Sequence, residues 1–274
     1  MATNRAARTR TTRTTAPRSP AQGEAKRHYG PLSAQGIRGV FTTLAGFIDP
    51  RTELVYGSTY QLLVAVVLSA QSTDRGVNAA TKHLFAVAPT PAAMVGLGVD
   101  GVSPYLRGIN YYKTKARNVV ALSQQLIELH QGEVPADRAA LMSLPGVGQK
   151  TASVVLNTAF RQPVIAVDTH IHRVANRLGI AKTTTPEQTE AVLMARTPRT
   201  FLLDAHHYLI LHGRYCCLAR GPECWRCPVA TLCTYPDKVP ASPATANRPP
   251  RGRHMHRTRP EPGEAAHNDP AREA

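Results

Sequence analysis

The chain predicts an all-α fold, and three observations carry that expectation. Aromatic residues make up 5% of the 274 residues while Ala, Val and Leu are plentiful, a composition that suits packed helices better than a sheet. Apolar residues recur at helical spacing in one segment after another, as in Ile37, Val40, Phe41, Leu44 and Phe47. The stretch Leu144-Pro145-Gly146-Val147-Gly148-Gln149-Lys150-Thr151-Ala152 joins two such segments through a tight turn, with one helix ending near Ser143 and the next starting at about Gly148.

Residues 1–30 are rich in Thr, Arg, Pro and Ala and poor in apolar side chains, so no core is expected there and the segment reads as disordered. It carries Arg5, Arg8, Arg10, Arg13, Arg18, Lys26 and Arg27 against Glu24 alone, which makes it a basic arm. The first helix is expected over Leu32 to Phe47, and Pro50 stops it. Leu62 to Leu68 is apolar all round, so it reads as a buried central helix capped by Ser58 or Thr59 and ending at the polar Gln71. Thr73 or Asp74 then caps a helix over Gly76–Phe85.

Short helices are expected at Pro91–Leu97 and around Val102–Arg107. Ile109 to Arg117 opens a long helix to about Leu129, and its first turns are basic and aromatic. Glu133-Val134-Pro135 is a linker, and Asp137 caps the helix before the hairpin. Val154, Val155 and Ala159 face inward after it, and Pro163 ends that element. Further helices are expected over Thr169–Leu178, Pro186–Met194 and Ala205 to about Arg214. Beyond Val239 the chain is rich in Pro, Ala and Arg, and its His254 and His256 read as part of a solvated tail.

The net charge of +15 and pI near 10.1 point to a polyanion as partner. No apolar run approaches the ~18 residues of a membrane span, and the N-terminus lacks the apolar core of a secretory signal. These features predict a cytoplasmic, nucleoid-associated protein of bacterial type, with an organelle transit peptide as the alternative reading of the basic arm.

The hairpin sets the chemistry. Its glycines leave backbone N–H groups uncovered at a helix start, which suits a phosphate, so Gly146 and Gly148 are candidate contacts to a DNA backbone. Lys150 lies in the first turn of the second helix, and a lysine amine there is a candidate nucleophile. Asp168 follows 18 residues later, where an apolar run gives way to a helical pattern, and so reads as an N-cap. A phosphate-touching surface lysine and a plain cap are the simpler readings of the two residues. Beside a phosphate-binding hairpin they become a nucleophile and a carboxylate converging on one sugar.

All five cysteines fall between Cys216 and Cys233, and four fit C-x6-C-x2-C-x5-C: Cys217, Cys224, Cys227 and Cys233. Thiolates at such spacings bind a soft metal centre, and spacing alone leaves zinc and an iron–sulfur cluster both open. Cys216 is the odd thiol, either a spare or a substitute ligand.

Leu144 to Phe160, followed by Val167-Asp168-Thr169-His170, resembles the helix-hairpin-helix glycosylase superfamily, and specifically the endonuclease III family, over about Thr59 to Cys233. The resemblance implies two helical domains flanking a DNA-binding cleft. A six-helix domain spans 52–162, a cluster domain joins 31–51 to 163–238, and disordered segments cover 1–30 and 239–274. It implies a base-excision-repair DNA glycosylase acting on oxidised pyrimidines, with associated lyase activity at abasic sites and Lys150 and Asp168 as catalytic pair. It places Gln71 in the gap left by an everted nucleotide, sets Tyr111 where relatives carry an apolar wedge, and adds His170 to the DNA contacts. It makes Cys217, Cys224, Cys227 and Cys233 the ligands of a [4Fe–4S] cluster. The expected partner is duplex DNA with damaged bases or abasic sites, bound by a monomer and without a membrane. Relatives carry basic side chains near Gly221 and Glu223, so the cluster loop is expected to grip phosphates less firmly here. The alternatives are an adenine-mismatch glycosylase, which usually lacks the lysine, and a weakly catalytic DNA-binding or redox-sensing relative.

Overall fold

The computed structural model describes residues 31–242, so the expectations placed on the basic arm and on most of the C-terminal tail lie outside the described residues. Among those residues the regular structure is helical: α1 Ala34–Ala45, α2 Thr59–Ser69, α3 Asp74–Val87, α4 Pro91–Val102, α5 Tyr112–His130, α6 Arg138–Ser143, α7 Gln149–Thr158, α8 Thr169–Leu178, α9 Pro186–Arg196, α10 Arg199–Leu202 and α11 Ala205–Tyr215.

Side-chain caps fix where most of these helices start. Ser33, Ser58, Thr73, Thr90, Asp137, Asp168 and Thr185 each accept a hydrogen bond from an N–H in the first turn. Each such cap contributes about 1 kcal/mol. Three boundaries differ from the sequence expectation. The segments expected as two short helices run on as α4, which is broken at Gly98 (φ 67°) and followed by a 3-10 turn over Ser103–Leu106. The long helix starts at Tyr112, because Tyr111 is left-handed and cannot continue a helix back to Ile109. The four-residue α10 lacks the length for a periodic signal.

Buried side chains form two clusters. One draws on Leu54 to Leu156, with α2 at its centre: Leu62, Leu63, Val64, Ala65 and Leu68 are fully inaccessible. Each of the larger ones contributes about 2 kcal/mol through burial. The other draws on Ile37 to Ile48 and Ile165 to Val229, where α8 and α11 pack together and Phe41 stacks on Phe201 at 5.9 Å. The chain passes between the clusters over 157–164. Asn157 spans this crossing, donating to the carbonyls of Gln162, Val164 and Leu203. Residues just before the crossing and just after it are therefore set side by side on different cores.

Candidate active site at the helical hairpin

The hairpin joins α6 to α7 through Leu144–Gly148. Leu144 and Val147 are buried and anchor it, while Gly146, Gly148 and Lys150 face solvent. Gly146 sits at φ 79°, and a Cβ there would meet the Asn118 side chain at 2.8 Å, so a side chain is excluded on two grounds. Gly148 is the N-cap of α7 with open space before it.

Lys150 rides on α7, from the first cluster, and Asp168 opens α8, from the second. The Lys150 Nζ lies 3.5 Å from Asp168 Oδ2. Asp168 Oδ1 accepts from the Ile171 N–H at 2.8 Å. The carboxylate thus does both things the sequence left as alternatives: one oxygen caps α8 and the other faces the amine. Its side chain is 10% exposed and that of Lys150 is 55% exposed, so the carboxylate is held rigidly while the amine reaches into open space. His170 is half-buried two residues on, and its Nδ1 meets Arg173 Nη2 at 3.2 Å. Burial pushes the His170 imidazole below its ordinary value, with Asp168 pulling the other way.

Gln71 and Tyr111 lie on neighbouring loops. Both are exposed, Tyr111 at 68%, and both adopt left-handed backbone, at φ 54° and 58°. Such geometry costs a non-glycine residue about 1–3 kcal/mol, so the surroundings must enforce it. The Asn110 side chain donates to the Gln71 carbonyl at 2.7 Å and ties the loops together.

The cysteines gather in one pocket. Cys217, Cys224, Cys227 and Cys233 line it together with Cys216, His212, Arg177, Tyr235 and Lys238, and none of the five is in a disulfide. The donor set fits a soft metal centre ringed by positive charge. His212, Cys216 and Cys227 bring their ligand atoms within 4.8 Å of one another, so the tightest trio includes the odd thiol. The Cys216 Sγ donates to the Glu223 carbonyl at 3.8 Å, and the close approach of Cys216 and Cys227 holds the Cys227 thiol down and that of Cys216 up. Helix α8 braces the pocket. Arg177 donates to the Leu218 and Ala219 carbonyls at 2.6 and 3.0 Å, and Arg173 to the Cys217 and Gly213 carbonyls at 3.1 and 2.8 Å. The helix that Asp168 caps is thereby the one that carries the cysteine loop.

Residues 64–199 match the family described as HhH-GPD superfamily base excision DNA repair protein. The chain is 55% identical to endonuclease III of Escherichia coli over 190 residues, covering 69% of this chain and 90% of that one. The chain belongs to the endonuclease III family. Two solved structures, a trapped endonuclease III–DNA covalent intermediate and a non-covalent endonuclease III–DNA complex, superpose with TM-scores of 0.69 and 0.68 at 42% identity. Each match covers 74% of this chain and at least 95% of the other.

The structure places the two departures of the cluster loop from the relatives' pattern. Glu223 is 5% exposed and paired with Arg226, whose Nε donates to it at 2.6 Å. Gly221 sits at φ 60°, where a lysine is strained. The departures from the relatives' basic loop are therefore structural adaptations of the loop. Exchanging both positions for basic residues would strain the backbone at 221 and remove the carboxylate that Arg226 holds.

One residue beside the site, His206, gave no functional signal in the sequence. His206 on α11 is fully buried, and burial, with Lys150 nearby, pushes it down to about 3. The neutral ring is thus the native form, whereas the unfolded chain protonates it near pH 6.5. The unfolded state then binds the extra proton, so stability falls with falling pH from about 6.5 downward. Between pH 7 and pH 5 the loss from this group is about 2 kcal/mol. Urea unfolding at the two pH values measures it. His206→Gln should flatten that dependence, and an unchanged slope in the variant would assign the acid sensitivity to other groups.

Proposed function

We propose that this member of the base-excision repair family is a bifunctional DNA glycosylase and abasic-site lyase acting on oxidised pyrimidines, with Lys150 as nucleophile and Asp168 as its carboxylate partner. The observation that carries the reading is the 3.5 Å approach of Lys150 Nζ to Asp168 Oδ2 beside an exposed, glycine-built hairpin. Endonuclease III bound to DNA has this fold, which supports duplex DNA as the partner. The two hydrophobic cores are read as two domains flanking the cleft where the pair sits, and the chain as acting as a monomer.

The hairpin N–H groups of Gly146 and Gly148 hold a phosphate and so fix the strand. The damaged nucleotide leaves the stack, with Gln71 and Tyr111 filling its place. His170 lies close enough to Asp168 to meet the same strand. Lys150 must attack as the free amine, and Asp168 is placed to take its proton. A bond forms between Nζ and the sugar C1′ as the bond from C1′ to the base breaks, and the base departs with that electron pair and gains a proton. The sugar ring opens to an imine on Nζ. Loss of a C2′ proton then expels the 3′ phosphate and cuts the strand. Asp168, held by its cap bond, also faces the positive charge that develops at C1′.

Cys217, Cys224, Cys227 and Cys233 are the residues that would hold a [4Fe–4S] cluster. Such a group, when bound, ties the loop 217–233 into one rigid body. Purified protein should be yellow-brown with broad visible absorbance, and Cys216→Ser should keep both colour and iron content. Stoichiometric zinc without iron, or colour lost with Cys216 alone, would reassign the ligands.

Borohydride trapping on abasic duplex DNA tests the whole reading. A covalent complex is expected. Base release from lesion DNA without any trapped complex would instead favour an adenine-mismatch type of glycosylase, which works without the lysine.

A further inference from the structure

We propose that Lys115 is a positioning residue that holds the Gln71 loop and the Tyr111 turn together as one preformed wedge. This rests on the reading that Gln71 and Tyr111 enter the DNA stack. Lys115 is 6% exposed, and its ammonium donates to the Leu68 carbonyl at 2.9 Å, the Ala70 carbonyl at 2.6 Å and the Ser72 hydroxyl at 2.9 Å. Three protons meet three acceptors, and the acceptors bracket Gln71 on both sides. Its charge is offset by the carbonyl end of α2, where a cation is favoured. The same helix start supplies Asn110, bonded to the Gln71 carbonyl, and the Lys115 N–H closes on the Tyr111 carbonyl at 3.0 Å.

Lys115 and Asn110 thus flank Tyr111 in sequence and grip the loop of Gln71 in space. Each wedge residue has an unfavourable left-handed backbone, and neither has a burial that would explain it. If packing were the purpose, a methionine would fill the Lys115 site without the cost of a buried ammonium, which burial already pushes below its ordinary value. The lysine instead fixes the shape of a loop. A loop fixed before binding is not ordered at the expense of DNA opening.

The test uses the full chain and duplex DNA with 2-aminopurine beside an oxidised pyrimidine, so that fluorescence reports opening of the stack. Gln71→Ala should slow opening about tenfold, and Lys115→Met about as much. The double variant should be no more than about twofold slower than either alone, because Lys115 acts through Gln71. Borohydride trapping on abasic DNA, where less must be opened, should change less than about threefold. If Gln71→Ala and Tyr111→Ala both open DNA normally, the wedge reading fails and the proposal falls with it. If Gln71→Ala is slow and a folded Lys115→Met is fast, or if their losses multiply, the wedge reading stands and the role of Lys115 is overturned. Circular dichroism decides whether Lys115→Met is folded. Should it not be, Asn110→Ala takes its place: slowing about threefold that does not multiply with Gln71→Ala supports the proposal, and wild-type opening overturns it.

Discussion

Lys150→Gln abolishes the covalent complex trapped on abasic DNA and lowers strand cleavage by at least about a thousandfold, while affinity for the same DNA stays within a few-fold of wild type. The asymmetry follows from geometry. Lys150 is more than half exposed and packs into neither core, so its loss leaves the fold in place. In the proposed reading the phosphate is held by backbone N–H groups of the hairpin, which the substitution does not touch. What disappears is the amine that sits 3.5 Å from a fixed carboxylate. Gln keeps length and polarity but offers no nucleophile. Gel separation after borohydride reduction measures the complex, and a trapped yield equal to wild type would assign the nucleophile to another amine. Asp168→Asn gives the complementary result. Asn still caps α8 through its side-chain oxygen, so the variant should melt within about 1 kcal/mol of wild type. It removes the charge facing Nζ, so base release should slow by about a hundredfold or more. A variant that unfolds would reduce Asp168 to its capping role.

Much of this arrangement was legible in the residues because it is local. Caps, the glycine turn and helical spacing are set by neighbours within a few positions, and α2, α6, α7 and α8 fall where those signals put them. Asp168 was marked by the same logic, since a carboxylate at a helix start is visible in sequence. Left-handed Tyr111 was not, because nothing in Ile109-Asn110-Tyr111 demands positive φ; the demand comes from Asn110 and Lys115 reaching across to the loop of Gln71. A sign of Lys115 was present all the same. It falls in register with Val119, Leu122 and Leu126 on the buried stripe of α5, where a charge is out of place. The pairing of Glu223 was not visible either, since its sequence position says nothing of Arg226 closing over it. The cysteine pocket was legible in the spacing, but His212, which enters it from α11, was not.

Arg214→Met is expected to cost about 3 kcal/mol of stability. Arg214 ends α11, in the second core, and reaches to the first, where Nη1 lies 2.6 Å from Glu53 Oε2 and also meets Asp74 at the start of α3. The Tyr215 hydroxyl donates to the other oxygen of Glu53. Burial works against the Arg214 charge, yet Asp74 and Glu53 more than offset it and raise its pKa above the ordinary value. All three charged side chains are less than one-third exposed, so solvent screens them only in part. Methionine fills much of the volume but leaves two carboxylates facing each other with no cation between them. The cost is therefore that of orphaned charge rather than of a lost bond, and it should be recoverable. Glu53→Gln and Asp74→Asn added to Arg214→Met remove the repulsion, and the triple variant should regain about half of the loss. Urea unfolding of the three proteins checks this. A single variant within about 0.5 kcal/mol of wild type would show that the bridge joins the cores without stabilising them. The function should follow the geometry. Asp74 opens α3 directly after the loop of Gln71, and Arg214 sits near His170, so loosening the bridge frees both sides of the cleft at once. Excision from intact duplex DNA, which needs both sides in register, should therefore fall further than cleavage at a preformed abasic site.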